Sequence, residues 1–327
     1  LTTLEDFLNF ESNNYEENIS PEQLDSEEIE MNKIIDEYIQ HPDCKSYIEN
    51  FKTIKPICEE VLKQKHSEIK EKEWSRNIGI NDAIKYAHQF LTTVDSTLAD
   101  QFMNLVYQNN NNQKTLNIIP NYIKPYCEKG KAYIYYHDKI ENMITLLHEM
   151  IHAMGYSDAI NTNSAYRYLR ESPTLIIENL FSKWLVKNKI ITQNDYNLLK
   201  EWRLRDSQDV ASKTLMEIAL IDMRKKGQYI TKKRVLEMID EKQHINNFAT
   251  REECIKYLMK VLNNKKLYFK ESERYIIGQY ISDKVDKSRN PEREFLEIYN
   301  LTSNPNITPE ESLKIIKEKD QEPNIDR

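Results

Sequence analysis

Residues 145 to 155 read TLLHEMIHAMG, and within them His148 and His152 stand four apart with Glu149 directly after the first histidine. A helix turns about 100° per residue, so side chains at i and i+4 leave the same face, and two imidazoles at that spacing can share one metal ion. Glu149 is rotated to the side. There its carboxylate cannot readily ligate the same ion but can take a proton from a water bound to it. The chemistry this set suits is hydrolysis at zinc, with one Zn2+ per chain and Glu149 as general base. Met143, Ile144, Leu147, Met150, Ile151 and Met154 make the helix apolar over most of its surface, which predicts a buried segment. Two buried imidazoles and a buried carboxylate need partners, and a metal supplies them.

A catalytic zinc site takes three protein ligands and leaves one position open, so a third ligand is required. The downstream stretch ESPTLIIENL places Glu171 nineteen residues after His152 and Glu178 seven further on. Seven residues are two helical turns, so both glutamates can share a face. Pro173 either opens that helix or bends it just after Glu171. The preferred assignment makes Glu171 the ligand and Glu178 an acceptor for a histidine N–H, with the reverse assignment open.

The elements that must position these residues are mostly helical. Only five glycines and ten prolines punctuate a chain of 327 residues with 30% charged residues, which favours long helices over turn-rich β-structure. Short β-branched and aromatic runs at 115 to 120 (TLNIIP) and 131 to 136 (KAYIYY) form the one strand pair, a hairpin or short sheet beside the histidine helix. The edge of the second strand, Ala132, Tyr133, Ile134, Tyr135 and Tyr136, is expected to pair with an extended substrate backbone. Ser20-Pro21-Glu22-Gln23 reads as a capped helix start leading to Gln40, followed by a helix pair over 47 to 73 and helices over 80 to 93 and 94 to 107. The polar run QNNNNQ (108 to 113) reads as a loop. Further helices are expected over 172 to 186, 191 to 206, 207 to 224, 231 to 242 and 250 to 262, with Thr308 to Glu311 capping a last short one. The expected division is an acidic and helical N-terminal region (1–75), a catalytic domain (76–300) and a C-terminal helix with a polar tail (301–327).

Bulk properties exclude several functions. A net charge of −7, from 46 Lys+Arg against 53 Asp+Glu, and the lack of a basic stripe with interleaved aromatics argue against nucleic acid as a partner. Ten acidic residues precede Lys33, the first basic one, and mark a solvated lead-in that could dock a partner or occlude a cleft. Cys44, Cys58, Cys127 and Cys254 are too scattered for a disulfide scaffold and read as reduced thiols. No apolar run approaches the roughly 20 residues that span a bilayer, and no signal peptide is visible. The expected location is the cytoplasm, or outside the cell without a visible signal, with a leader removed before Leu1 left open.

Together these pieces resemble the zinc peptidases of the thimet oligopeptidase and oligoendopeptidase F superfamily, over roughly residues 94 to 186 with an extension to about 285. The family's order of helix, extended segment, Lys/Gly/Tyr-containing turn, strand and His-Glu-x-x-His helix is matched here by LADQFMNLVY, TLNIIPNYIKPYC, KAYIYYHDKIENM and ITLLHEMIHAM. ESPTLIIEN is similar to the family's third-ligand segment, and to that of carboxypeptidase Taq-type enzymes, which carries the ligand role onto Glu171. RYIIGQYIS (274 to 282) looks like the family's tyrosine segment, which implies that Tyr275 or Tyr280 donates to the oxyanion. The chain departs from the pattern at Ile151, where a glycine is usual and the added bulk narrows the space beneath the metal. It also has a shorter interval from His152 to Glu171, less N-terminal helical structure, and no histidine shortly before the tyrosine segment, since His244 lies too far upstream. The resemblance implies a helical zincin-type metalloendopeptidase acting on peptides or on a particular protein. The alternative is a zinc-binding module on the same scaffold without turnover, which would have no use for Glu149. A metal-free helical interaction protein is the third reading.

Overall fold

The computed structural model describes residues 20–41, 44–66, 73–107, 115–156 and 169–304, with 306, 311 and 314, and gives their side chains except at 44–50 and 269–271. Among them are eleven helices and three strands, in the order α1 (Ser26–Gln40), α2 (Cys44–Lys63), α3 (Ile80–Val94), α4 (Ser96–Tyr107), β1 (Leu116–Ile118), β2 (Tyr126–Glu128), β3 (Lys131–Ile134), α5 (Ile140–Met154), α6 (Ser172–Lys187), α7 (Gln193–Lys225), α8 (Lys232–Lys242), α9 (Arg251–Asn264), α10 (Phe269–Asp286) and α11 (Pro291–Thr302). The chain is mainly helical with one small sheet. The acidic lead-in up to residue 19, the 108–113 run and the cap at Thr308 lie outside the described residues.

The chain forms two compact units. One draws on Leu1–Lys65 and Leu204–Ile276, the other on His66–Arg203 and Ile277–Arg327. The helices α7 and α10 each run through a unit boundary, so no loop or change of composition marks it.

In the first unit the Ser20 capping box closes only a 3-10 turn, Pro21–Gln23, and α1 starts afresh with Asp25 accepting from the backbone N–H of Glu27 and Glu28. Of the helix pair expected over 47 to 73, one helix is seen, up to Lys63 with Pro56 inside it, and residues 67–72 lie outside the described residues. The last carbonyls of α2 accept from side-chain amides: Gln208 reaches Gln64 at 3.0 Å and Asn247 reaches Leu62 at 2.9 Å, serving groups a helix end leaves unpaired. The buried Asn32 pairs in both directions with the backbone of Ile230.

The second unit holds the HEMIH stretch. Its sheet has the order β1-β3-β2, with β1 parallel and β2 antiparallel to β3. Strand β2 is absent from the expected pair because Tyr-Cys-Glu after a proline is too short to show an alternating pattern. A two-residue turn joins β2 to β3, and both its residues have positive φ, Lys129 at 47° and Gly130 at 71°, as a type I′ hairpin requires. Because β3 is the central strand, Ala132 and Tyr133 are paired on both sides and Ile134 with β1, so these residues do not offer the expected free edge, while Tyr135 and Tyr136 lie beyond the strand. Ala132 and Ile134 are instead fully buried on the face that packs against α5.

Helix α6 is fixed against α3 by Phe90, whose ring lies 5.1 Å from Phe181 and 5.9 Å from Trp184. The segments expected at 191 to 206 and 207 to 224 are one helix, α7, of 33 residues. Its start is tied down by Asp195, which accepts from the backbone N–H of Ser75 and of Thr192, both at 2.8 Å, and from both hydroxyls.

Burial works to raise the Asp195 carboxyl, but the Ser75 and Thr192 donors outweigh it and hold the group below the ordinary carboxylate range. Asp195→Asn is expected to destabilise the fold by about 1–3 kcal/mol near neutral pH, since one oxygen facing donors becomes an amide nitrogen. A depressed folded-state value gives stability that is fully present above the unfolded pKa of about 3.9 and is lost as pH falls through the folded value. The gap between parent and variant should therefore close in acid, which urea unfolding across that range will show.

Candidate metal centre

Helix α5 forms because apolar residues fill nearly its whole circumference. Met143, Leu146, Leu147 and Met150 are all at 0% exposure, and each such side chain contributes about 1.5–3 kcal/mol when fully buried. Asn142 in its first turn accepts from the backbone N–H of His137 at 3.0 Å and fixes the approach from β3. His148, Glu149 and His152 are carried into the interior on this helix, all under 10% exposed.

The two imidazoles meet edge to face with centroids 4.8 Å apart. One oxygen of Glu171 faces both of them: Oε2 is 3.1 Å from His152 Nε2 and 3.4 Å from His148 Nε2. The ligand atoms of His148, His152 and Glu171 all lie within 4.8 Å of one another. A tetrahedral ion with bonds of about 2.0–2.1 Å sets its ligand atoms about 3.3 Å apart, so the two separations to Glu171 fit a shared ion.

Glu171 reaches this point through the start of α6. It occupies the N-cap position, Pro173 opens the helix without bending it, and Thr174 Oγ1 donates to the Glu171 carbonyl at 2.8 Å. Two turns on, Glu178 Oε1 lies 2.7 Å from His148 Nδ1. An ionised carboxylate can only accept, which places a proton on Nδ1, while Nε2 faces Glu171 Oε2, where a cation would take the place of a proton. Glu171 therefore faces both Nε2 atoms, and Glu178 faces the back of one ring.

The charge balance of the cluster favours a cation. Burial acts to raise the Glu171 carboxyl, yet the two histidines hold it well below the usual range. Burial likewise opposes ionisation of Glu178, and Arg203 and His148 overcome it. Burial would strip a proton from His148, but its hydrogen bonds to Glu171 and Glu178 keep its proton affinity well above that of an ordinary imidazole. A site that draws positive charge this strongly, with two imidazole nitrogens and a carboxylate oxygen converging, suits a divalent metal.

Two residues of this neighbourhood escaped the reading of the sequence. Arg203 Nε is 2.9 Å from Glu178 Oε2 with 11% of its side chain exposed, although WRLRD reads as a solvated helix face. Gly278 is buried on α10, and a Cβ built there would stand 3.0 Å from the backbone carbon and the Cβ of Glu171. A glycine inside the helical pattern RYIIGQYIS was the signal available for that close approach.

The two expected oxyanion donors both lie on α10. Tyr275 belongs to the other compact unit, with 36% exposure, and the Arg274 guanidinium lies 5.2 Å from its ring. Tyr280 is 6% exposed with Lys284 Nζ 5.3 Å from its ring centroid, and it is Gly278 that meets Glu171. Beside Glu149 lies Cys127 of β2: burial pushes its thiol up to about 12, the charges of Glu149 and Glu171 add to this, and Arg170 opposes it.

Fold and site together define a mainly helical protein with a buried His-His-Glu group able to hold a metal ion. No protein-family model, curated protein or solved structure matches the chain.

Gly278→Ala should lower stability by about 1–3 kcal/mol, because overpacking against Glu171 outweighs the gain in helix propensity of up to about 1 kcal/mol. It should also weaken metal binding by displacing Glu171. Thermal unfolding and a metal titration of the variant measure the two effects separately.

Proposed function

We propose that the protein is a zinc metallopeptidase hydrolysing internal bonds of peptides or of a protein, akin to the thimet oligopeptidase and oligoendopeptidase F superfamily. The observation that carries the reading is a single Glu171 oxygen facing Nε2 of both His148 and His152, while Glu178 occupies the other nitrogen of His148. His148, His152 and Glu171 would hold the ion. Zinc, when bound, supplies Lewis acidity, polarising a carbonyl oxygen and lowering the pKa of water to roughly 7.

The remaining work falls to the chain. Glu149, one residue past His148 and rotated off the ligand face, takes a proton from the attacking water and returns it to the leaving amine nitrogen. Its 7% exposure keeps bulk water from competing for that proton. Glu178 holds His148 in the tautomer that presents Nε2.

Metal analysis joined to peptidase assays on parent and Glu149→Gln tests this reading. One zinc per chain is expected in both, with cleavage of quenched peptides or unfolded protein lowered by roughly 10²–10⁴ in the variant. Zinc without cleavage in the parent would leave a binding module, and a parent free of stoichiometric metal sinks both readings.

Chelation should also lower the unfolding temperature and zinc should restore it, because a ligand bound only to the folded state stabilises it. His152→Ala should remove that zinc-dependent shift.

A further inference from the structure

Glu178 gives its two oxygens to different partners, Oε1 to His148 Nδ1 at 2.7 Å and Oε2 to Arg203 Nε at 2.9 Å. The guanidinium side is 11% exposed and Glu178 8%, so each charge depends on the other. Beside this Nε–Oε2 ion pair, Arg203 donates a hydrogen bond from Nη2 to Ser182 Oγ at 3.2 Å, and that hydroxyl donates to the Glu178 carbonyl at 2.7 Å. The guanidinium is thus held at two points one turn apart on α6, the helix that carries Glu178. A planar fork can meet both points at once, which the point charge of a lysine cannot.

We propose that Arg203 is a positioning residue of the metal centre. By anchoring Glu178 it keeps Oε1 on His148 Nδ1, holds the ring so that Nε2 stays aimed at Glu171 Oε2, and thereby sets how tightly the centre binds its cation. This rests on the metal-binding reading of His148, His152 and Glu171. Losing Arg203 frees Glu178 Oε2, lets the carboxylate rotate off Nδ1, and leaves the His148 Nδ1–H without its acceptor and the ring free to turn.

The test measures zinc affinity by competition with a chelating dye for the parent, Arg203→Met, Arg203→Lys, Glu178→Gln and the Arg203→Met/Glu178→Gln double variant. Thermal unfolding of the zinc-free proteins is the control on folding. Arg203→Met is expected to lose roughly 10- to 100-fold in zinc affinity, the range for losing a partner of a metal-bound histidine. Arg203→Lys should recover part of that loss, and the double variant should bind no more weakly than the weaker single, since both act through one contact. Proton NMR of the zinc-loaded proteins should show the His148 Nδ1–H shifted downfield and slow to exchange with water in the parent and in Arg203→Lys, and shifted upfield or lost to exchange in Arg203→Met. A folded Arg203→Met that binds zinc as tightly as a zinc-binding parent overturns the inference and leaves the metal reading intact. A parent that binds no zinc overturns the metal reading and this inference with it. Should Arg203→Met fail to fold, Arg203→Lys and Glu178→Gln decide, and parental affinity in both overturns the proposal.

Discussion

An ionised carboxylate taken out of water must find compensating charge, and Glu171, at 2% exposure, imposes that constraint on everything around it. Its Oε2 is answered by two imidazoles from α5, which must lie on one face and be buried as deeply. That requirement explains why α5 is apolar nearly all round: only a helix enclosed on every side can carry His148 and His152 to this depth. The cost does not end there. His148 has a second nitrogen, which Glu178 satisfies, and Glu178 is a second buried carboxylate that brings in Arg203. One buried charge thus recruits four polar partners from three helices of the same compact unit.

Apolar packing turns this set of charges into a fixed geometry. Strand β3 lies between two neighbours and has no edge to give away, so its side chains support α5 from below. The tight turn at Lys129 and Gly130 is held on its other side, since a Cβ on Gly130 would come 3.3 Å from Tyr156 Cδ1, just past the end of α5. On α6 the aromatic contacts of Phe181 and Trp184 with Phe90 stand behind Glu178, while Gly278 of α10 lets a neighbouring backbone come up against Glu171. Packing of this kind around α5 and α6 is what fixed side-chain geometry in a buried polar cluster requires.

What could be read from the sequence follows from how local each feature is. The pairing of His148 with His152 is a property of helix pitch alone, and so is the two-turn relation of Glu171 to Glu178. Both were legible without a fold. The helical character of the chain was legible from its scarcity of glycine and proline, and most helix limits lie within two residues of where pattern and caps put them. Strand β2 was not, because three residues carry too little pattern and its identity as a strand comes from pairing with β3. The run of α7 through Asp206 and Ser207 was hidden for the opposite reason: polar residues that look like a break are tolerated once tertiary contacts hold both ends. Arg203 was invisible because a charged residue on a charged helix has no signature of burial until its partner is known.

Ile151 shows how the surroundings accommodate a departure within the HEMIH stretch. It is 2% exposed and, with His152, Gly155 and Tyr299 among others, lines a crevice of about 10 Å3 between α5, α6 and α11, roughly the space of one water. A larger side chain before the second histidine would be costly if it faced the ligand point. Here it faces α11, a helix the sequence pattern did not reveal, whose Tyr299 also lies across from Gly155 at the end of α5, with Cε2 at an ordinary contact distance of 3.6 Å from where a Gly155 Cβ would be. The back of the site can therefore be closed by packing alone, while the ligand face of α5, about 60° round from Ile151 at His148 and about 100° at His152, is left to these two and the glutamate opposite them.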